Sequence, residues 1–142
     1  MEAFRARDAI RVSQLTYRQF DHAIRSGLMR PSRSGGRRRG SRRLFSTRDL
    51  LAFVILADVL RAGVRVRAVI PALALVQRGH GLPPLDQLEQ AVIWTDGKVA
   101  HLVQGGERPR RRSRSGAVSY LLHVGGAARR LRGELHEVNI NV

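Results

Sequence analysis

Between Ser32 and Arg43 the chain reads SRSGGRRRGSRR: six arginines, three glycines and three serines, with no apolar side chain. No core can take in such a stretch, because every buried guanidinium would need a compensating partner. Whatever the chain folds into must leave this segment at the surface and set ordered elements on either side of it. Leu44-Phe45 closes the stretch with an apolar pair suited to a strand returning to a core, so the pattern predicts the tip of a basic hairpin.

The flanks are well punctuated. A first helical signal covers about Ala3–Ile10, with Phe4, Ala6 and Ile10 available for burial, and Val12–Leu15 reads as a turn. Thr16 has the character of an N-cap, and Gln19 stands three residues on, the capping-box spacing in which each side chain satisfies the other residue's backbone N–H. Phe20, Ala23 and Ile24 then form one apolar stripe, and Gly27 sits where a left-handed residue ends a helix, so Thr16–Ser26 is expected as a short helix with a polar outer face. Beyond the basic loop, Ser46 and Asp49 repeat the box-like cap. The helix they open is apolar over most of its circumference, from Leu50 to Leu60, and should be central. Val64–Arg78 is again apolar, with Pro71 expected to kink it or delay its start.

Gly79, Gly81, Pro83 and Pro84 mark a boundary, after which the period changes. Ala91–Thr95 and Lys98–Val103 are β-prone runs around Asp96-Gly97, a strong hairpin signal. A second arginine-rich loop spans Gly105–Gly116, Ala117–Val124 is a further strand candidate, and Gly126–Glu137 reads as a closing amphipathic helix carrying Leu131 and Leu135. Trp94 has two readings: packing of the hairpin against the closing helix, which is favoured, or an anchor at a subunit interface.

Charge narrows the function. The chain carries 26 Lys and Arg against 11 Asp and Glu, a formal +15. Residues 1–48 hold 13 arginines against three acids, so +10 of that excess lies in the first third. A localised cationic surface implies a polyanionic partner, nucleic acid first and an anionic membrane surface second. No apolar run approaches the roughly 20 residues that span a bilayer, and the charged start Met1–Arg11 makes a secretory leader unexpected. With no cysteine, thiolate metal sites, disulfides and thiol chemistry are excluded. His22, His80, His101, His123 and His136 show no metal-ligand spacing, and no Gly-rich phosphate loop precedes a helix. An enzyme is therefore not expected, and neither a cofactor nor a metal is implied.

Two short helices joined by a turn, a glycine–arginine loop and then a capped helix give the order of a winged helix-turn-helix. Thr16-Tyr17-Arg18-Gln19-Phe20-Asp21, Ser26-Gly27-Leu28-Met29-Arg30-Pro31-Ser32, Arg43-Leu44-Phe45-Ser46-Thr47-Arg48-Asp49-Leu50 and Arg61-Ala62-Gly63-Val64 carry the resemblance further. Over about residues 3–78 the chain resembles the MerR family of bacterial transcription regulators, and most closely an actinobacterial subgroup with a small C-terminal module. Those segments are similar to the family's recognition helix, the exit into its wing, the entry into the next helix and the joint between its third and fourth helices. The expected fold class is α+β. A winged helix-turn-helix of four helices with a basic β-hairpin wing would occupy residues 1–79, and a small hairpin, strand and helix module residues 80–142.

Such an arrangement suits duplex DNA, because a helix about 10–12 Å wide matches a major groove about 12 Å wide. Thr16 and the amides of the first turn face phosphate, Tyr17, Arg18 and Gln19 lie at the leading end where base edges are read, and His22 and Arg25 follow one turn on. Arg33, Arg37, Arg38, Arg39, Arg42 and Arg43 would grip flanking phosphates through the wing. Each reading has a structural alternative: Tyr17 packed on the first helix, Gln19 spent on its own cap, Arg43 paired with an acid, His22 and Arg37–Arg39 merely solvated.

The resemblance implies a homodimer on a palindromic operator and a cytoplasmic, nucleoid-associated site of action. The chain departs from family members with long sensor domains, because it has no uninterrupted helix for an extended coiled coil. Pairing is therefore expected through the C-terminal module or the broken helix at 66–78. The second module is open to dimerisation, to contact with RNA polymerase or to a small-molecule effector, and no residue pattern selects among them; Arg108–Arg114 could add a second DNA contact. Two other classes stay open: an architectural or excisionase-like DNA protein, and an RNA-binding protein, for which an aromatic content of 5% offers little stacking surface.

Overall fold

Helix α3, Thr47–Arg61, is the element around which the rest is built, because ten of its fifteen residues are buried. The computed structural model describes residues 3–31, 33–34, 43–79, 82–104 and 118–140, with side chains for all of these except 33–34 and 137–140. Ser46 caps α3 as its sequence predicts: Ser46 Oγ accepts from Asp49 N–H at 3.1 Å, and Asp49 Oδ2 accepts from Ser46 N–H at 2.9 Å. Helices α1 (Ala6–Ser13), α4 (Ile70–Arg78) and α5 (Val124–Ile140) all pack on α3.

Helix α1 lies three residues later than its apolar pattern suggested. The Asp8 carboxylate accepts the Arg5 N–H at 3.0 Å, which starts the helix at Ala6. That leaves Phe4 extended, and it exchanges two backbone hydrogen bonds of 2.8 Å with Phe45. At the other end Val12 and Ser13 stay helical, and the turn is confined to 14–16 by Gln14, which takes a left-handed φ of 61°. Helix α2, Tyr17–Arg25, follows under its Thr16 cap.

Strands β1 (Arg33–Ser34) and β2 (Arg43–Leu44) pair antiparallel, with Arg33 opposite Leu44 and Ser34 opposite Arg43. The hairpin foreseen from the basic loop is thus present at its base. Pro71 does delay α4, since a 3₁₀ turn at Val66–Val69 precedes it and the proline occupies its first turn, where a missing N–H costs nothing.

The second half of the chain builds a three-stranded antiparallel sheet, β3 (Val92–Thr95), β4 (Ala100–Val103) and β5 (Tyr120–Leu122), in the order β4-β3-β5. The hairpin loop is 96–99 rather than Asp96-Gly97 alone. The Asp96 carboxylate accepts from Lys98 N–H at 2.9 Å and Val99 N–H at 3.0 Å, while Thr95 Oγ1 donates to the Val99 carbonyl at 2.8 Å. These bonds hold two further residues out of the ladder. Helix α5 begins at Val124, two residues before the pattern suggested, and Gly125 explains how it sits so close. Its N–H reaches the Ala91 carbonyl at 2.9 Å, and a Cβ there would run into the carbonyl oxygen of Glu89.

Apolar packing is continuous from Phe4 through α3 and α4 to Leu131 of α5. Ile93 and Leu88 join it from the second half, and Leu135 packs at its margin. Trp94 is 6% exposed and stacks on His101 of the same hairpin, with centroids 5.9 Å apart. Successive strand residues face opposite sides, so Trp94 points away from the face that carries Ile93 and Thr95. Among the described residues, no helix is long and apolar enough to cross a membrane.

Candidate nucleic-acid interface

Helix α2 owes its position to three aromatic rings. Phe20 on α2, Phe45 at the base of the hairpin and Phe53 on α3 form a closed triangle with centroid separations of 5.7, 5.0 and 5.5 Å. All three are at most 2% exposed. Edge-to-face and tilted pairs at such distances add stabilisation beyond the area they bury. The triangle fixes α2, the hairpin and α3 relative to one another. With Phe20 and Ala23 turned inward, the 3.6-residue period puts Arg18, His22 and Arg25 on the opposite side, where all three are exposed.

The capping box of α2 forms as read. Thr16 Oγ1 accepts from Gln19 N–H at 3.0 Å, and Gln19 Oε1 accepts from Thr16 N–H at 3.0 Å. The carbonyl oxygen of Gln19 is therefore engaged by its own helix, which was the structural alternative for that residue. Tyr17 is not packed on α1: it is 69% exposed. Arg25 Nε pairs with Asp21 Oδ2 at 2.8 Å, one turn back on the same helix. Gly27 ends the helix at a φ of 80°, and the Met29 N–H returns to the Ala23 carbonyl at 3.0 Å.

On the hairpin, Arg43 is exposed and makes no ion pair among the described residues. Arg33 stands opposite Leu44 in the ladder. Arg37, Arg38, Arg39 and Arg42 lie outside the described residues. Of the twelve candidate residues, six belong to α2 and its cap and two to the strands of the hairpin.

Sequence reasoning missed a further set of cations. Arg30, Arg67 and Arg78 line an open groove of about 940 Å³ between the exit of α2 and helix α4, and His22 and Ser26 border it too. All three arginines are exposed, and none makes an ion pair among the described residues. No local signal could have grouped them, because the groove exists only once α4 docks beside the segment that follows α2. That docking is specific. Gln77 Nε2 on α4 donates to the Arg30 carbonyl at 2.9 Å and to Asp49 Oδ1 at 3.1 Å. A single amide thus ties α4 to the exit of α2 and to the buried capping residue of α3.

The cations of α5 are arranged differently. Arg130 grips the Asp58 carboxylate with both Nη atoms, and Asp58 also accepts from Arg61 Nη1 at 3.2 Å. The hydrogen bond to Asp58 raises the Arg130 pKa above its ordinary value, against the lowering effect of burial. Arg61 Nη2 in turn donates to the Ser13 carbonyl at 3.1 Å. Arg129 lies 3.7 Å from Glu89. Among the described residues, no three His, Asp or Glu side chains converge to hold a metal ion.

No protein-family model matches the chain. It is similar to proteins of Mycobacterium bovis and Mycobacterium tuberculosis, each described as an uncharacterized HTH-type transcriptional regulator. Identity is 28% over 131 residues, a match that covers 92% of this chain and 56% of each relative. The chain thus spans about half the length of the curated relatives it matches.

Proposed function

We propose that the chain is a sequence-specific regulator of transcription that binds double-stranded DNA through a winged helix-turn-helix of the MerR type. The observation that carries this reading is the outward face of α2: Arg18, His22 and Arg25 in one exposed stripe, flanked by Tyr17 and Gln19, on a capped helix rigidly joined to a basic hairpin. The kinship with regulators described as helix-turn-helix proteins supports it from a separate direction.

In this reading α2 enters the major groove. Arg18 donates two hydrogen bonds to guanine, each bidentate contact of this kind being worth about 1–3 kcal/mol of discrimination. Gln19, with its carbonyl oxygen held by the cap, presents its amide NH₂ to a base acceptor or to phosphate. Thr16 and the first-turn amides orient the helix on the backbone, and Tyr17, His22 and Arg25 flank the contacted bases. The hairpin, with Arg33 and Arg43 on its strands and Arg37, Arg38, Arg39 and Arg42 in the sequence between them, follows the adjoining phosphates and supplies affinity and register. The functional unit is a homodimer on a palindromic operator, with half-sites spaced by whole turns of the duplex.

Selection of bound duplexes from a random pool tests this proposal. A two-fold symmetric consensus is expected, and base changes within it should weaken binding by about 1–3 kcal/mol each. With about six phosphates neutralised per protomer, the logarithm of affinity should fall against the logarithm of salt with a slope near −5. Indifference to base changes would move the protein to the architectural class. A purified chain that ignores duplexes at low ionic strength would end the reading.

A further inference from the structure

The groove between α2 and α4 has two chemistries in one space. Its floor is apolar: Leu28, Val66 and Ile70 line it, and Ile70 is 43% exposed, one of the few large hydrophobic side chains left open to water among the described residues. Its rim carries Arg30, Arg67 and Arg78, and none of the described residues that line it is acidic. At about 940 Å³ it lies within the roughly 300–1,000 Å³ range of small-molecule sites. Bare phosphate would use only the rim, and a neutral apolar molecule only the floor.

We propose that this groove is a binding site for a small organic anion, one negatively charged head group on an apolar body. The head accepts charge-assisted hydrogen bonds from the guanidinium groups of the rim, and the body removes Ile70 and Val66 from water. The occupant would lie against residues 26–31, which lead from α2 into the hairpin and are held to α4 by Gln77. Its negative charge would neutralise cations beside α2, so ligand and duplex oppose each other. That last consequence rests on the DNA reading; the site itself does not.

The test uses the full chain and a matched pair of fluorescent probes. Anilinonaphthalene sulfonate has an anionic head and an apolar body, and N-phenylnaphthylamine has similar rings without the charge. The sulfonate should bind with one-to-one saturation, about tenfold more tightly than the neutral amine. The double variant Arg67→Ala/Arg78→Ala, checked for native circular dichroism, should weaken the sulfonate by about tenfold or more and leave the amine unchanged. Ile70→Ser should weaken both. Equal affinity for the two probes, an unaffected double variant, or the absence of saturable emission would each overturn the site. Saturating sulfonate should also lower duplex affinity; a bound sulfonate that leaves duplex binding untouched would overturn the opposition. A chain that takes the sulfonate as described but never binds a duplex would remove the DNA reading and keep the site.

Discussion

Helices α2 and α5 both show arginines to solvent, yet they put them to opposite uses. On α5, Arg130 holds the Asp58 carboxylate of α3 and Arg129 lies 3.7 Å from Glu89, so both join one part of the fold to another. On α2, Arg18 makes no ion pair among the described residues, and Arg25 pairs only within its own helix. The difference lies in the neighbours. α5 lies across α3, whose Asp58 is turned toward it, whereas α2 is held from behind by the aromatic triangle and, among the described residues, pairs with no acid from another element. A net charge of +15 therefore overstates the surface available to a polyanion, and the tertiary contacts say which cations remain.

The largest effect should come from removing what holds α2 outward. Phe53→Ala removes one corner of the triangle at a residue with no exposure, and should cost about 3–5 kcal/mol in denaturant unfolding. A loss below about 1 kcal/mol would mean that the triangle does not anchor the helix. Arg18→Ala comes next. It should weaken binding to the selected duplex by about 1–3 kcal/mol while leaving the unfolding midpoint in place. Equal losses on matched and mismatched duplexes would reassign Arg18 to the backbone.

Thr16→Ala should lower stability by about 1 kcal/mol through loss of the cap, with duplex binding reduced as the leading turn frays. Unchanged stability would show that the packing of Phe20 alone sustains the first turn. The smallest effect is expected for Arg130→Ala. Its side chain is about half exposed, so solvent screening limits the cost to about 1 kcal/mol or less, with duplex affinity and salt slope both unaltered. A change in salt slope there would erase the contrast between the two helices.

Much of the local structure was legible because its causes are local. Capping boxes at Thr16 and Ser46 depend on residues three apart, the left-handed end at Gly27 on one glycine, and the late start of α4 on one proline. Where reading by pattern slipped, a side chain competed with it. Asp8 moved the start of α1, and Asp96 with Thr95 widened the hairpin loop that Asp96-Gly97 alone had suggested.

The sequence by itself determined that α2 would be short, capped and polar on one side, and that a basic hairpin would follow it, since those properties reside in neighbouring residues and in their period. Only the tertiary structure decided that Phe20, Phe45 and Phe53 would meet, that Gln77 would join Arg30 to Asp49, and that Arg30, Arg67 and Arg78 would border one groove while Arg130 was drawn to Asp58. Such meetings depend on how α3, α4 and α5 dock, and docking is set by the shape of a shared apolar core, which no single segment encodes.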